Sequence, residues 1–324
     1  MSATPAVLGI HHVTAMAGDA QANLDFYTRV LGLRLVKRTV NFDDPATYHF
    51  YFGDRTGSPG TILTFFPWGK GSLRGRIGTG QVSVTSFSIP TASVSFWRDR
   101  LQRLDVAVDG PEERFDEAVL ALRDRDGVAL ELVASARADA RPGWSNGDMG
   151  GVPIEHAIRG FHHASLSLAG YERTAGLLTQ TLGFRAAGEE GARFRFAIGD
   201  GAPSAIVDLV CEPGRMRGSM GIGVVHHIAY RAANDEAQRA LRERIVAAGF
   251  DATPVLDRQY FHSVYFREPG GVLFEIATDP PGFALDEPVE EFGQRLKLPP
   301  WLESHRGEIE AQLTPIAVPP SNHP

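Results

Sequence analysis

The stretch GIHHVTA at residues 9–15 decides the fold, because the chain repeats it as GFHHASL at residues 160–166. A Leu-Gly pair follows each stretch at the same distance along the chain, at residues 31–32 and 182–183. Unrelated segments rarely share both residue types and spacing, so this repetition indicates an internal duplication.

Each of these stretches opens a unit that reads as a strand, a helix and then several strands. In the first unit, residues 10–15 predict a strand and residues 20–31 predict a helix with one apolar stripe. Three further strands are predicted over residues 33–40, 47–53 and 61–66, with Asp, Gly and Pro in the turns between them.

Two more units of this kind follow the first and the repeated one. Residues 82–89 and 225–230 alternate like strands and lead into helical patterns. These two units also end alike, with GVALEL at residues 127–132 and GVLFEI at residues 271–276. The chain therefore contains four predicted βαβββ modules.

The predicted fold class is α+β, with four βαβββ modules forming two domains that have cup-shaped mixed sheets. The first domain is expected over residues 1–145 and the second over residues 146–285, each with two modules. Residues 286–324 are expected to form a C-terminal tail with a short helix near residues 301–313. Side chains alternate across a strand, so every second residue of these strands lines a cup.

The composition excludes several classes of partner. The 324-residue chain has a net charge of -7, and nucleic acids and anionic membranes are bound through clustered Lys and Arg. No apolar run approaches the length of a membrane span, and the N-terminal residues do not read as a signal peptide. With one cysteine, Cys211, an intramolecular disulfide is impossible. We expect a cytoplasmic protein that binds neither nucleic acid nor membrane, and a homo-oligomer remains open.

Three His-His pairs and one glutamate suggest a metal site. The pairs lie at residues 11–12, 162–163 and 226–227, each within the opening strand of a module. Adjacent residues of a strand point to opposite faces, so one histidine of a pair can line the cup while the other packs behind it. Two imidazoles and one carboxylate form a facial triad that leaves three adjacent metal positions open. His227 and Glu275 supply two ligands, and the repeat allows either His12 or His163 as the third.

Glu275 supports a metal site because it lies in the apolar run of residues 272–277, where an unpaired carboxylate is costly. The alternative is an ion pair with a buried arginine such as Arg258 or Arg267. Glu131 holds the matching position in another module, but the strand that opens that module contains no histidine. We therefore expect Glu131 to be solvated or paired, without a second complete metal site.

The candidate ligands belong to long motifs, which include LVKRTVNFDDP at residues 35–45 and YFREPGGVLFE at residues 265–275. On these motifs the chain resembles the glyoxalase/bleomycin-resistance/dioxygenase (vicinal oxygen chelate) superfamily, and within it the ring-cleaving dioxygenases that act on hydroquinones. The resemblance implies iron(II) at the positions of His12, His227 and Glu275. The ligand types alone also suit manganese(II), the less favoured metal here, as well as zinc or nickel. It also implies a catalytic pocket that contains His11, His226, Tyr265 and Arg258.

The resulting hypothesis is an iron(II)-dependent, extradiol-type ring-cleaving dioxygenase that uses dioxygen to open a small aromatic diol of the hydroquinone or catechol type. Such an enzyme would serve aromatic degradation or quinone detoxification. His11 or His226 could accept a proton and Tyr265 could donate a hydrogen bond, although each could equally be a packing residue. His49 lacks a partner in the repeat and is interpreted as structural or exposed. The alternatives are a glyoxalase-type metal-dependent isomerase or thiol transferase, and a non-catalytic protein that binds aromatic compounds.

Overall fold

The structure is a computed structural model that describes residues 6–69, 71–138, 140–145, 151–202 and 204–318. Within these ranges it contains four βαβββ modules, which confirms the predicted α+β fold class. Module 1 consists of β1 (Ile10–Ala17), α1 (Ala20–Asp25), β2 (Arg34–Asn41), β3 (Asp44–Gly53) and β4 (Ile62–Pro67). Module 2 consists of β5 (Gln81–Ile89), α2 (Val94–Arg103), β6 (Val108–Arg114), β7 (Glu117–Arg123) and β8 (Ala129–Ala134).

The second half of the chain repeats this order. Module 3 consists of β9 (Phe161–Leu168), α3 (Glu172–Leu177), β10 (Arg185–Glu190), β11 (Arg193–Ala197) and β12 (Ile206–Cys211). Module 4 consists of β13 (Val225–Ala232), α4 (Asp235–Ala247), β14 (Leu256–Asp257), β15 (Phe261–Arg267) and β16 (Leu273–Pro281). A further helix, α5 (Arg306–Gln312), follows in the tail.

The helices of the duplicated modules end in the same way. The α-helical hydrogen bonding of α1 stops at Asp25, and a π-helical turn continues to Val30; α3 continues likewise through residues 178–182. Gly32 and Gly183 then adopt positive φ angles of 70° and 87°, which glycine tolerates at a helix end. The predicted helix of residues 20–31 is therefore an α-helix only in its first half.

In the described part of the chain, the strands form two eight-stranded sheets, and these do not correspond to the two predicted halves of the chain. The first sheet has the order β14-β15-β16-β13-β1-β4-β3-β2, which joins modules 4 and 1. The second has the order β10-β11-β12-β9-β5-β8-β7-β6, which joins modules 3 and 2. Each half thus contributes one module to each sheet, and the division into residues 1–145 and 146–285 stays a prediction.

Module 1 and module 4 meet at the centre of the first sheet. β1 and β13 are antiparallel, with Thr14 opposite His227, and β13 and β16 are parallel, with Ala229 beside Glu275. β1 lies between β13 and β4, and β16 is the next strand beyond β13. This arrangement brings His12, His227 and Glu275 to one region of the sheet.

The C-terminal segment packs against the first sheet. Lys37 of β2 is fully buried and forms ion pairs with Asp286 and Glu287 at 2.7 and 2.5 Å. Phe283 and Phe292 join a small apolar cluster that also contains Tyr51 and Phe261. The predicted tail helix begins later than expected, because residues 303–305 form a 3-10 turn before α5. In the part of the chain that is described, no helix has the length and apolarity needed to cross a membrane.

Candidate metal centre

Three donor atoms from three strands converge in the first sheet. The Nε2 atoms of His12 and His227 are 3.2 Å apart, and Glu275 Oε2 is 3.3 Å from the first and 2.9 Å from the second. Two ligands at right angles around an ion, each about 2.1 Å from it, would be about 3 Å apart. The three atoms therefore match one face of an octahedral metal site.

The surroundings of Glu275 fit a cation. The side chain is fully buried, and Ser263 donates a hydrogen bond of 2.5 Å to its Oε1, whereas Oε2 accepts none from the residues that the structure describes. Burial by itself raises the pKa of Glu275, but His12 and His227 outweigh burial and hold this pKa well below its ordinary value. A buried anionic oxygen that faces two imidazole nitrogens is the environment that a divalent ion stabilises.

The alternative of an arginine partner for Glu275 is not formed. Arg258 pairs with Asp43 at 3.0 Å, and Arg267 donates to the Gly271 carbonyl at 2.9 Å. The ion pairs of Glu275 within the described ranges therefore involve the imidazoles of His12 and His227.

The histidine next to each candidate ligand holds that ligand in place. The Nδ1 atoms of His11 and His12 are 2.9 Å apart, and those of His226 and His227 are 2.7 Å apart. If His12 and His227 present Nε2 lone pairs to an ion, their Nδ1 atoms carry the proton and donate it in these contacts. It follows that His11 and His226 accept at Nδ1 and carry their own protons on Nε2.

A cavity of about 390 Å³ opens beside the three donor atoms. It is lined by three of the predicted catalytic residues, His226, Tyr265 and Arg258. Aromatic and apolar side chains complete much of its wall, among them Phe42, Phe66, Trp68, Leu256 and Phe261. A largely apolar cavity with a few converging polar groups is the usual form of a small-molecule site.

His11 lies apart from this cavity wall. Its side chain is 2% exposed, packs against Phe261 at a ring-centroid distance of 5.0 Å and hydrogen-bonds the Thr278 backbone. Strand alternation allows this residue to face either the cup or the packing side, and the structure places it on the packing side. A direct role as a proton acceptor therefore does not fit its location, whereas orienting His12 does.

Tyr265 and Arg258 are coupled at one side of the cavity. The Arg258 guanidinium lies 5.5 Å from the centre of the Tyr265 ring, and the ring packs edge-on against His227 at 5.7 Å. Burial, more than any charge, raises the pKa of Tyr265 above its ordinary value, so the phenol keeps its proton at neutral pH. Burial, assisted by His227, lowers the pKa of His226 to about 3, so His226 is neutral there too.

His49 is a cavity residue, which corrects its interpretation as structural or exposed. It lines the same cavity, and its ring lies 4.0 Å from Tyr51 and 4.3 Å from Phe66 between ring centroids. The signal for it was strand alternation: residues 49 and 51 share one face of β3, opposite to the buried Phe50 and Phe52.

His163, the rival third ligand, lies in the second sheet. Its Nε2 is 3.3 Å from Asp208 Oδ2 and 3.7 Å from Glu131 Oε2. Arg195 and Arg193 in turn bind Asp208, at 2.8 and 3.1 Å. The tertiary structure thus brings His12, and not His163, to His227 and Glu275.

Glu131, which was expected to be either solvated or paired, is paired. It is 4% exposed, accepts a hydrogen bond from Ser86 at 2.7 Å and pairs with Arg114 at 2.8 Å. Across the described ranges, the three donors of His12, His227 and Glu275 are the group of His, Cys, Asp or Glu side chains whose spacing suits a metal ion.

Comparison with known families gives two matches along the chain. Residues 9–132 and 160–276 each match the Glyoxalase/Bleomycin resistance protein/Dioxygenase superfamily. MhqO of Bacillus subtilis (strain 168), whose name describes it provisionally as a ring-cleaving dioxygenase, is 48% identical over 313 residues, which cover 96% of this chain and 97% of MhqO. The chlorohydroquinone/hydroquinone 1,2-dioxygenase of Sphingobium indicum is 34% identical over 318 residues, which cover 96% of this chain and 98% of that protein.

Solved structures show the same architecture. The crystal structure of a Bacillus subtilis (subsp. subtilis str. 168) protein, described provisionally as a dioxygenase, superposes with a TM-score of 0.91 at 46% identity and covers 97% of this chain and 99% of its own. Glyoxalase I from Zea mays superposes with a TM-score of 0.62 at 15% identity and covers 84% of this chain and 92% of its own. The second likeness concerns the fold alone.

Proposed function

Because the chain belongs to the Glyoxalase/Bleomycin resistance protein/Dioxygenase superfamily and is an oxygenase within it, we propose that it is an iron(II)-dependent dioxygenase that opens the ring of hydroquinone- or catechol-type diols. The observation that carries the proposal is the triad of His12, His227 and Glu275 beside a cavity of about 390 Å³. The hydroquinone-directed relative supports the substrate class.

In this proposal His12 Nε2, His227 Nε2 and Glu275 Oε2 hold the iron. Bound iron(II) would supply adjacent positions for a diol and dioxygen and a path for electrons between them. Imidazole and carboxylate ligands also suit manganese(II), which we regard as the less favoured metal.

The remaining cavity residues orient the ring and its oxygen atoms. The Nε2–H of His226 and the protonated phenol of Tyr265 are hydrogen-bond donors, and Arg258 adds a positive charge that favours an anionic diol. Phe42, Phe66 and Trp68 offer aromatic faces to a flat ring. We propose an extradiol type of opening, with His226, Tyr265 and Arg258 as catalytic residues and His11 as the residue that positions His12.

The alternative of a glyoxalase-type isomerase finds less support in the site. Such enzymes generally use another carboxylate ligand, and Glu275 is the carboxylate of the described three-donor group. The side chains next to His227 Nε2 on this side are Thr14, at 2.9 Å, and Thr64 behind it, and neither is a carboxylate. An aromatic-binding protein without metal chemistry would not require a buried carboxylate beside two imidazoles.

Oxygen uptake by the iron-loaded protein tests the proposal. The protein is loaded with iron(II) without oxygen and then mixed with aerated hydroquinone or catechol, and manganese(II)- and zinc(II)-loaded samples serve as controls. We expect one dioxygen consumed per diol with iron, and a product whose mass equals diol plus dioxygen. Absence of oxygen uptake with every diol would defeat the proposal.

We also propose a place in aromatic degradation or quinone detoxification, since ring opening removes a diol before it can oxidise to a quinone. A cytoplasmic location is proposed on the single cysteine, Cys211, which permits no intramolecular disulfide.

A further inference from the structure

We propose that His49 accepts the proton that the diol loses on binding, and that the hydroxyls of Thr14 and Thr64 carry the proton to it. The proposal rests on the proposed function, because a diol must occupy the cavity. It concerns residues that neither the repeat nor the predicted ligand set had singled out.

An unbroken chain of hydrogen bonds connects His49 with the candidate metal centre. Thr14 Oγ1 is 2.9 Å from His227 Nε2, Thr64 Oγ1 donates to Thr14 Oγ1 at 2.8 Å, and His49 Nε2 is 2.9 Å from Thr64 Oγ1. Both threonines are fully buried, and the parallel pairing of β1 with β4 places them side by side. The sheet register therefore fixes this path.

The other histidines of the cavity wall lack an available lone pair. The cavity is lined by His12, His49, His226 and His227. His12 and His227 would use their Nε2 lone pairs as ligands, and His226 accepts at Nδ1 from His227. His226 thus presents an N–H to the cavity and can donate but not accept, which leaves His49 as the imidazole able to accept.

The direction of the chain can reverse when substrate arrives. Each threonine hydroxyl donates one hydrogen bond and accepts another. The hydrogen bonds of the chain therefore all run either towards the metal centre or towards His49. With the His227 lone pair engaged by the ion, the Thr14 hydroxyl, which lies 2.9 Å from His227 Nε2, no longer donates to that atom and takes up the diol proton in the proposed relay. Thr14 then donates to Thr64, and Thr64 donates to His49 Nε2.

The proton transfer is balanced without any oxidant. One O–H bond of the diol breaks, its oxygen keeps the electron pair, and an N–H bond forms at His49 Nε2. When His49 accepts at Nε2, its Nδ1 carries the other proton and donates it to Tyr51 Oη, 2.8 Å away. Burial lowers the pKa of His49 well below its ordinary value, so the neutral ring returns as the proton passes to cavity water.

Interrupting the chain at Thr64 tests the proposal. Thr64→Val keeps the shape and removes the hydroxyl, whereas Thr64→Ser keeps the hydroxyl and is the matched control. Iron-loaded proteins are mixed with hydroquinone or catechol without oxygen, and the ultraviolet absorbance of the bound anion is followed over time. We expect Thr64→Val to slow anion formation about 100-fold and to lower kcat in parallel, with iron content and KM retained. Thr64→Ser should form the anion close to the wild-type rate.

His49→Gln provides an independent variant, since an amide can hydrogen-bond to Thr64 but cannot take the proton. It should slow anion formation as Thr64→Val does, and it decides the question alone if Thr64→Val fails to hold iron. Anion formation at the wild-type rate in His49→Gln would overturn the relay. Failure of the proposed function has a different signature, namely no oxygen uptake by the wild-type protein with any diol, and the oxygen-free measurement still reports on proton transfer.

Discussion

The two sheets are built from the same module, yet one carries a candidate metal centre and the other an ion-pair network. Both keep a histidine and a glutamate at matching positions: His12 and Glu275 in the first sheet, His163 and Glu131 in the second. The strand registers show what differs between them. His227, Thr64 and Tyr265 of the first sheet correspond to Val84, Asp208 and Ala121 of the second.

The source of positive charge separates the two sites. In the second sheet three arginines, Arg114, Arg193 and Arg195, pair with Glu131 and Asp208, so the buried carboxylates are already compensated. In the first sheet Glu275 faces the two imidazoles, which are neutral when they act as ligands. A histidine and a glutamate at the right positions are thus insufficient for a metal site, because the neighbouring charges decide whether a cation is required.

The two sheets should differ most when the matching histidine is removed from each. His12→Ala removes a ligand, and we expect the protein to lose iron and its oxygen uptake with a diol to fall by about 10³-fold or more. His163→Ala should retain iron, because Asp208 keeps its arginine partners. Iron content by elemental analysis and oxygen consumption check both, and iron loss from His163→Ala alone would reverse the assignment.

The two neighbours of the ligands should respond differently, because His226 lines the cavity and His11 does not. In His226→Asn an amide oxygen can still accept from His227 Nδ1, so iron should be retained while the lost Nε2–H lowers kcat by about 100-fold. His11→Ala should weaken iron binding by about 10- to 100-fold, with kcat restored at saturating iron. Iron titrations combined with kcat measurements distinguish the two, and equal loss of kcat at saturating iron in both variants would refute the distinction.

Asp208→Asn should weaken the ion-pair network of the second sheet without affecting the metal centre. Burial by itself raises the pKa of Asp208, but His163 and Arg195 outweigh it and hold the pKa at about 2. Since the folded-state pKa is below the unfolded value of about 3.9, the stabilisation is complete above pH 4 and lost as the pH falls towards 2. We expect the variant to be about 2 kcal/mol less stable at pH 7, with the difference shrinking between pH 4 and pH 2.

Urea unfolding measured between pH 7 and pH 2 tests this dependence. Asp200→Asn is a suitable control, since Asp200 is largely exposed and its contact with Arg137 is 3.7 Å long. A constant difference between wild type and Asp208→Asn across this pH range would show that the carboxylate charge is not the cause.

Tyr265→Phe is expected to have the smallest effect, since it removes one hydroxyl and leaves the ring beside His227. Loss of a hydrogen bond to a charged oxygen costs about 1.5 kcal/mol or more, so kcat should fall roughly tenfold while iron is retained. Steady-state oxygen uptake measures the change. Ala121→Phe, at the corresponding position of the second sheet, is the control and should leave kcat unchanged.

Much of the fold followed from local patterns in the sequence. The spacing of the two His-His stretches predicted the duplicated module, and alternation predicted the strands that carry His12, His227 and Glu275. Burial of Glu275 in an apolar run indicated a charge that needs a partner. These features depend on residues close together in the chain, which is why periodicity and spacing revealed them.

The pairing of modules was decided by the tertiary structure alone. The sequence left His12 and His163 as equal candidates because both hold the same place in the repeat, and strand pairing between distant modules leaves no local periodicity. The contact of β1 with β13 selected His12, turned His11 away from the cavity wall and placed Thr14 next to His227. The parallel pairing of β1 with β4 then added Thr64 and His49. The set of side chains that share a site depends on which strands pair with each other, and strands of distant modules pair only in the folded chain.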